Sequence, residues 1–180
     1  MSSVKRATVT AACIALCAVL PLAFHAVGLG AAFSPIHLPV LLCGLLCGGA
    51  YGAFCGAAGP LLSCLVSGMP AVVQLIYMIP ETLTYGLFAG FLFQRIRTGS
   101  LTADLFLSLV PAMILGRVVG GCAHAIFFLA TDRAYSVALW AAAYLTGSLP
   151  AIAVQLILIP ALLIVLIKAG VVPDRRQKHE

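Results

Sequence analysis

From Ala7 onward the chain reads as long apolar runs separated by short polar interruptions. The runs do not alternate with the period of two that barrel strands show, but continue unbroken for the length of a helix. Measured against the roughly 20 apolar residues that cross a bilayer, they predict six helices at about 7–28, 34–48, 51–66, 71–93, 101–129 and 137–167. Inside hydrocarbon each backbone N–H and C=O must be paired within the protein, and a helix does this by itself. The expected fold is all-α, a six-transmembrane-helix bundle using residues 1–180 as a single integral membrane domain. The second and third runs meet in "CGLLCGGAYGAFCG", where Gly44, Gly48, Gly52 and Gly56 recur at every fourth position. One helix from His37 to Val66 would be about 45 Å long, so a turn is expected near Gly48–Tyr51.

Composition strengthens this picture. With 63% hydrophobic and 8% charged residues and a mean hydropathy of +1.15, too few polar side chains exist to cover a soluble fold of this size. The formal net charge of +5 does not point to nucleic acid, because of where the charges lie. Lys5 and Arg6 precede the first run, Arg95 and Arg97 follow the fourth, and Lys168, Arg175, Arg176 and Lys178 follow the sixth. With six alternating helices these fall on one side, opposite Arg133, and the positive-inside rule makes both termini cytoplasmic. Lys5–Arg6 followed by "ATVTAACIALCAVLPLAF" also has the outline of a signal peptide. Its removal would leave five spans and break the charge pattern, so it is read as the first helix.

The seven cysteines, Cys13, Cys17, Cys43, Cys47, Cys55, Cys64 and Cys122, all fall within predicted spans. Cys13/Cys17 and Cys43/Cys47 stand at i, i+4, one helical face each, a spacing open to a soft metal. Close helix packing by small, weakly polar side chains is the preferred reading, and no metal site is expected.

Chemistry is sought where charge meets lipid. Glu81 and Arg117 are the deep ionisable residues, about 15 Å and 18 Å below the outer surface by helical rise. They can meet, either as an ion pair that fixes helix packing or as part of a polar solute site in which Arg117 keeps donors for a ligand. Pro80 removes a backbone hydrogen bond next to Glu81 and is expected to bend that helix. Other polar and aromatic residues gather towards the outer half: His25, Ser34, His37, Gln74, Tyr77, His124, Trp140 and Tyr144. No H-E-x-x-H, G-x-S-x-G, Walker or G-x-G-x-x-G motif occurs, which disfavours an enzyme.

The run "SPIHLPVLLCGLLCGGAYGAFCGAAGPLLSCLVSGMP", followed by "YMIPETLTYGLFAGFLFQRIR", "PAMILGRVVGG" and "TGSLPAIAVQLILIPALL", resembles the substrate-binding S component of energy-coupling factor (ECF) vitamin transporters over about His37 to Leu163. The resemblance implies a membrane subunit that captures a micronutrient from outside and associates with a transmembrane coupling (T) protein and two cytoplasmic ATPases, where ATP is used; no cofactor is then expected on this chain. It implies that the first outer loop, Gly30–His37, covers the site. It also implies that the first helix contacts the coupling protein through an A-x-x-x-A motif, matched here by Ala7, Ala11 and Ala15, whose spacing makes one small-residue face. The metal-ion branch of the family carries a histidine directly after the initiating methionine. Ser2 stands there, so nickel and cobalt are disfavoured.

The expected ligand is an organic solute held by His37, Gln74, Tyr77, Glu81, Arg117, His124, Trp140 and Tyr144. Arg117 and the outer histidines suit a carboxylate, and the aromatic residues suit a ring or aliphatic body. A pantothenate- or folate-like acid satisfies both requirements; riboflavin, a pyrimidine precursor or a deazapurine satisfies some of them. The competing reading is a structural or assembly subunit whose Glu81–Arg117 pair locks helices and which binds no solute.

Overall fold

The structure, a computed structural model, describes residues 1–26, 28, 35–131 and 149–170, with the side chains of residues 25 and 26 left out. The described residues form six helices: α1 (Ser3–Ala26), α2 (His37–Cys47), α3 (Gly49–Ser67), α4 (Val72–Arg95), α5 (Leu101–Ala130) and α6 (Leu149–Lys168). Five of them are long and apolar enough to cross a membrane. The exception falls in the second predicted span. The second predicted span, 34–48, is a helix of 11 residues, about 16 Å at 1.5 Å per residue against a hydrocarbon thickness of about 30 Å. Positions 137–148 of the sixth predicted span lie outside the described residues.

The break between α2 and α3 is tighter than expected. It is the single residue Gly48, at φ 101° and ψ 167°, whose N–H still bonds the Gly44 carbonyl at 2.9 Å. Only glycine adopts that backbone conformation without strain. Tyr51, expected in the turn, lies inside α3. At its other end α3 stops at left-handed Gly68 (φ 69°), whose N–H bonds Cys64 O, a common helix termination. Asp104, in the first turn of α5, accepts from both the N–H and the hydroxyl of Thr98 at 2.7 Å each. It thereby ties the α4–α5 connection down while complementing the helix dipole.

Contacts between named residues set the directions of the helices. Cys47 Sγ reaches Arg6 O and Cys17 Sγ reaches Ile36 O, so α1 and α2 are antiparallel. Thr82 Oγ1 donates to Gly56 O at 2.6 Å, while Gly86 faces Gly52 and Gly90 faces Gly49, so α3 and α4 are antiparallel. His37 meets Glu81 and Tyr85, and Gly44 meets Gly86; α2 is therefore parallel to α4 and folds back on α3 as a hairpin. Glu81 against Gly120 and Tyr85 against Gly116 make α4 and α5 antiparallel. Lys5, Arg6, Arg95 and Arg97 consequently share one end of the bundle. The sixth helix packs on α2 and α5.

Glycine makes the centre of this arrangement possible. A Cβ on Gly52 would lie 2.6 Å from Gly44 Cα and 2.7 Å from the Gly86 carbonyl carbon, so three backbones meet without side chains between them. Such approaches bring dispersion and polar backbone contacts into play where lipid supplies no hydrophobic drive. The outer surface is apolar, with Leu65, Ile157, Val72 and Leu129 largely exposed. The interior holds His37, Glu81, Thr82, Arg117 and Gln155. That inversion suits a lipid solvent.

Candidate functional site

The fourth helix carries two adjacent stripes with different tasks. Thr82, Gly86 and Gly90 face α2 and α3, as described above. Tyr77, Glu81 and Tyr85, each four residues from the next, form the stripe facing α5. On α5 the opposing column is Gly116, Gly120, His124 and Phe128, again at steps of four. A Cβ on Gly116 would meet the Tyr85 ring, and one on Gly120 would lie 2.8 Å from both Cβ and Oε2 of Glu81. These glycines thus leave room for a tyrosine and a glutamate between two packed helices. One turn nearer the start of α4 Tyr77 stacks on His124, with ring centroids 4.2 Å apart, and His124 meets Phe128 edge-on at 4.6 Å.

Pro80 lies within α4, and the helix runs through it from Val72 to Arg95. Thr84 Oγ1 donates to Pro80 O at 2.7 Å, and Thr82 Oγ1 shares its one proton between Gly56 O and Met78 O. Hydroxyls therefore bind carbonyls around the position where proline interrupts the ladder.

Glu81 is held by named partners. Tyr85 Oη donates to its Oε1 at 2.8 Å, and His37 Nε2 lies 3.6 Å from the same oxygen. The His37 and Tyr85 rings meet at a steep angle, 5.1 Å between centroids. His37, within the predicted second helix and at the end of the covering loop that the resemblance implies, is the first residue of α2 and only 6% exposed. Arg117 is likewise buried, on α5 three residues before the glycine that abuts Glu81. The helices thus bring His37, Glu81 and Tyr85 together, with Arg117 beside Gly120 on the facing helix.

Gln74 has another task within reach: its Oε1 accepts from the Ala71 N–H at 3.2 Å, closing the first turn of its own helix, and its side chain is exposed. Trp140 and Tyr144 lie outside the described residues, as do the His25 side chain and positions 30–34 of the expected covering loop, Ser34 among them. Ala7, Ala11 and Ala15 all lie on the exposed side of α1, while Thr10, Cys13 and Cys17 face inward.

Two interior residues were missed. Tyr85, wholly buried, was signalled by its i+4 spacing from Glu81. Gln155 is 2% exposed and is the one polar side chain between Leu149 and Ile167. Its Nε2 and Oε1 have no hydrogen-bond partner among the described residues. An unpaired buried amide costs about 1–3 kcal/mol.

The cysteines serve packing. Cys17 Sγ would touch a Cβ on Gly59, Cys43 Sγ contacts Thr10 Oγ1 and Tyr51 O, and five of the seven are buried. Among the described residues no three His, Cys, Asp or Glu side chains are placed to hold a metal ion.

Apolar helices outside, with a histidine, a glutamate, a tyrosine, an arginine and a glutamine inside, define a multi-pass membrane protein with an ionisable interior. Comparison with protein families makes this specific: residues 5–172 match the family described as the ECF transporter substrate-specific component. The chain belongs to that family, and is a substrate-specific transport subunit rather than an enzyme. Membership implies association with the T and ATPase modules of such transporters. No match was found among curated proteins or among solved structures.

Proposed function

We propose that this chain captures a water-soluble vitamin or related precursor from outside the cell, a pantothenate- or folate-like organic acid, and delivers it through partner-driven uptake. The observation that carries this reading is the buried group of His37, Glu81, Tyr85 and Arg117 in a chain of this family. Burying ionisable groups in lipid is costly, and such groups mark solute pathways. Arg117 offers a planar fork for a carboxylate, and the Tyr77–His124–Phe128 stack offers aromatic surface to the rest of the solute. Trp140, Tyr144 and Gln74 complete the proposed ligand set.

In this reading the protein sits in the cell membrane with both termini cytoplasmic. The shared basic end of α1 and α4 then faces the cytoplasm, and the Tyr77–His124 end faces out. The short α2 counts as the second of six transmembrane helices. Ala7, Ala11 and Ala15 dock on the T protein, and two cytoplasmic ATPases supply the energy; the chain itself uses no cofactor and holds no metal.

The test is ligand identification. Protein purified with its natural solute is denatured and the released small molecules are identified by mass spectrometry; the solute should raise the melting temperature when added back. Arg117→Met should abolish both retention and uptake. A chain that carries no solute, and supports uptake equally well with methionine at this position, would instead be an assembly subunit.

A further inference from the structure

The glutamine of α6 refines what that solute must look like. Gln155 belongs to the inward face formed by Ala151, Gln155, Ile159 and Leu163, all buried. The helices that α6 packs against are α2 and α5, which carry His37 and Arg117. Gln155 lies 13 residues before Lys168 at the end of α6, about 20 Å along the helix, and Glu81 lies 14 residues before Arg95 at the end of α4, about 21 Å. In the proposed topology both helices end at the cytoplasmic surface, so the amide and the carboxyl group occupy neighbouring levels of the bundle.

The chemistry of an unpaired amide is more restrictive than that of a charge. Gln155 presents an N–H donor and a C=O acceptor side by side, and neither has a partner among the described residues. A carboxylate can accept from Nε2 but leaves Oε1 unpaired. A simple open-chain secondary amide, trans about its C–N bond, shows its N–H and C=O on opposite edges and meets only one of the two. A ring lactam or imide, or a primary carboxamide, offers donor and acceptor on one edge and satisfies both at once.

Resting on the transport reading above, we infer that Gln155 reads a lactam or imide edge of the solute, so that the ligand is an organic acid carrying such a heterocycle. Gln155 is then a specificity-determining residue, while Arg117 addresses the acid.

Four probes separate these features: folic acid has carboxylates and a lactam ring, riboflavin an imide without a carboxylate, and pantothenate and nicotinate a carboxylate without a cis-amide edge. Thermal unfolding of the full chain in detergent should shift most with folic acid and next with riboflavin. Gln155→Met should weaken folic acid binding roughly thirtyfold, the loss of two hydrogen bonds. The same variant should melt, without ligand, at or above the wild-type temperature, because an unpaired buried amide has been removed. If pantothenate or nicotinate binds best, or Gln155→Met binds folic acid unchanged, the inference is overturned and the transport reading stands. A fall in the ligand-free melting temperature would show that the amide serves the fold, and would also overturn it. If none of the four shifts the wild type and no solute co-purifies, the transport reading itself falls.

Discussion

Replacing Gly56 by alanine adds one methyl group where the backbones of α3 and α4 meet. That carbon would press on the Thr82 carbonyl and sit 2.7 Å from the Leu83 backbone nitrogen. Backbone atoms cannot swing aside, so the helices must separate, and separation stretches the 2.6 Å bond from Thr82 Oγ1 to Gly56 O. Overpacking of this kind costs about 2 kcal/mol and the lost hydrogen bond about 1 kcal/mol. Alanine returns about 1 kcal/mol through helix propensity. The net destabilisation is about 2 kcal/mol, or about 4–8 °C in Tm for a chain of this length.

Thermal unfolding in detergent measures this directly, with Phe54→Leu as the control. Phe54 lies on the same helix but faces outward, 63% exposed, and its replacement should move Tm by no more than about 2 °C. A double-mutant cycle with Thr82→Ala isolates the cause. Removing the hydroxyl leaves the carbonyl in place, so Gly56→Ala should still cost about 1 kcal/mol in that background. An unchanged Tm for Gly56→Ala, or a penalty that vanishes with Thr82→Ala, would refute backbone contact as the reason for glycine at this position.

Two further outcomes follow from the interior and from the first helix. Tyr85→Phe conserves volume but removes the donor to Glu81 Oε1, and should lower Tm by about 4–8 °C through loss of a buried hydrogen bond worth about 2 kcal/mol; calorimetry of the purified protein checks this, and an unchanged Tm would count against the Tyr85–Glu81 bond. Ala11→Phe, on the exposed side of α1, should leave the Tm of the isolated chain within about 2 °C and abolish co-purification with the T protein, whereas retained complex would move the docking surface elsewhere.

How legible was the site? Glu81 and Arg117 stand out in the sequence because a charge inside an apolar run has few innocent explanations. Their surroundings do not stand out. His37 reads both as part of the helix at 34–48 and as the last residue of the covering loop; proline is tolerated in a first helical turn, and α2, with Pro39 in that turn, begins at His37. Gln74 reads as a ligand because it is polar and near the outer surface, but a side chain three residues into a helix can also close the first turn. Gln155 is a single amide without a motif, and its significance rests on burial and missing partners, which no spacing reveals.

The sequence by itself determined that this is an all-helical membrane chain, where most helices start and stop, and which end of the bundle is basic. These properties follow from local composition and from the requirement that each segment pair its own backbone in lipid. Only the tertiary structure decided that α2 is as short as it is and turns on a single residue, that α4 divides its surface between a glycine seam and a polar stripe, and that Tyr85 and His37 meet at Glu81. Those outcomes depend on which helices approach closely enough for backbones to touch, and that is a property of three helices at once, not of any one of them.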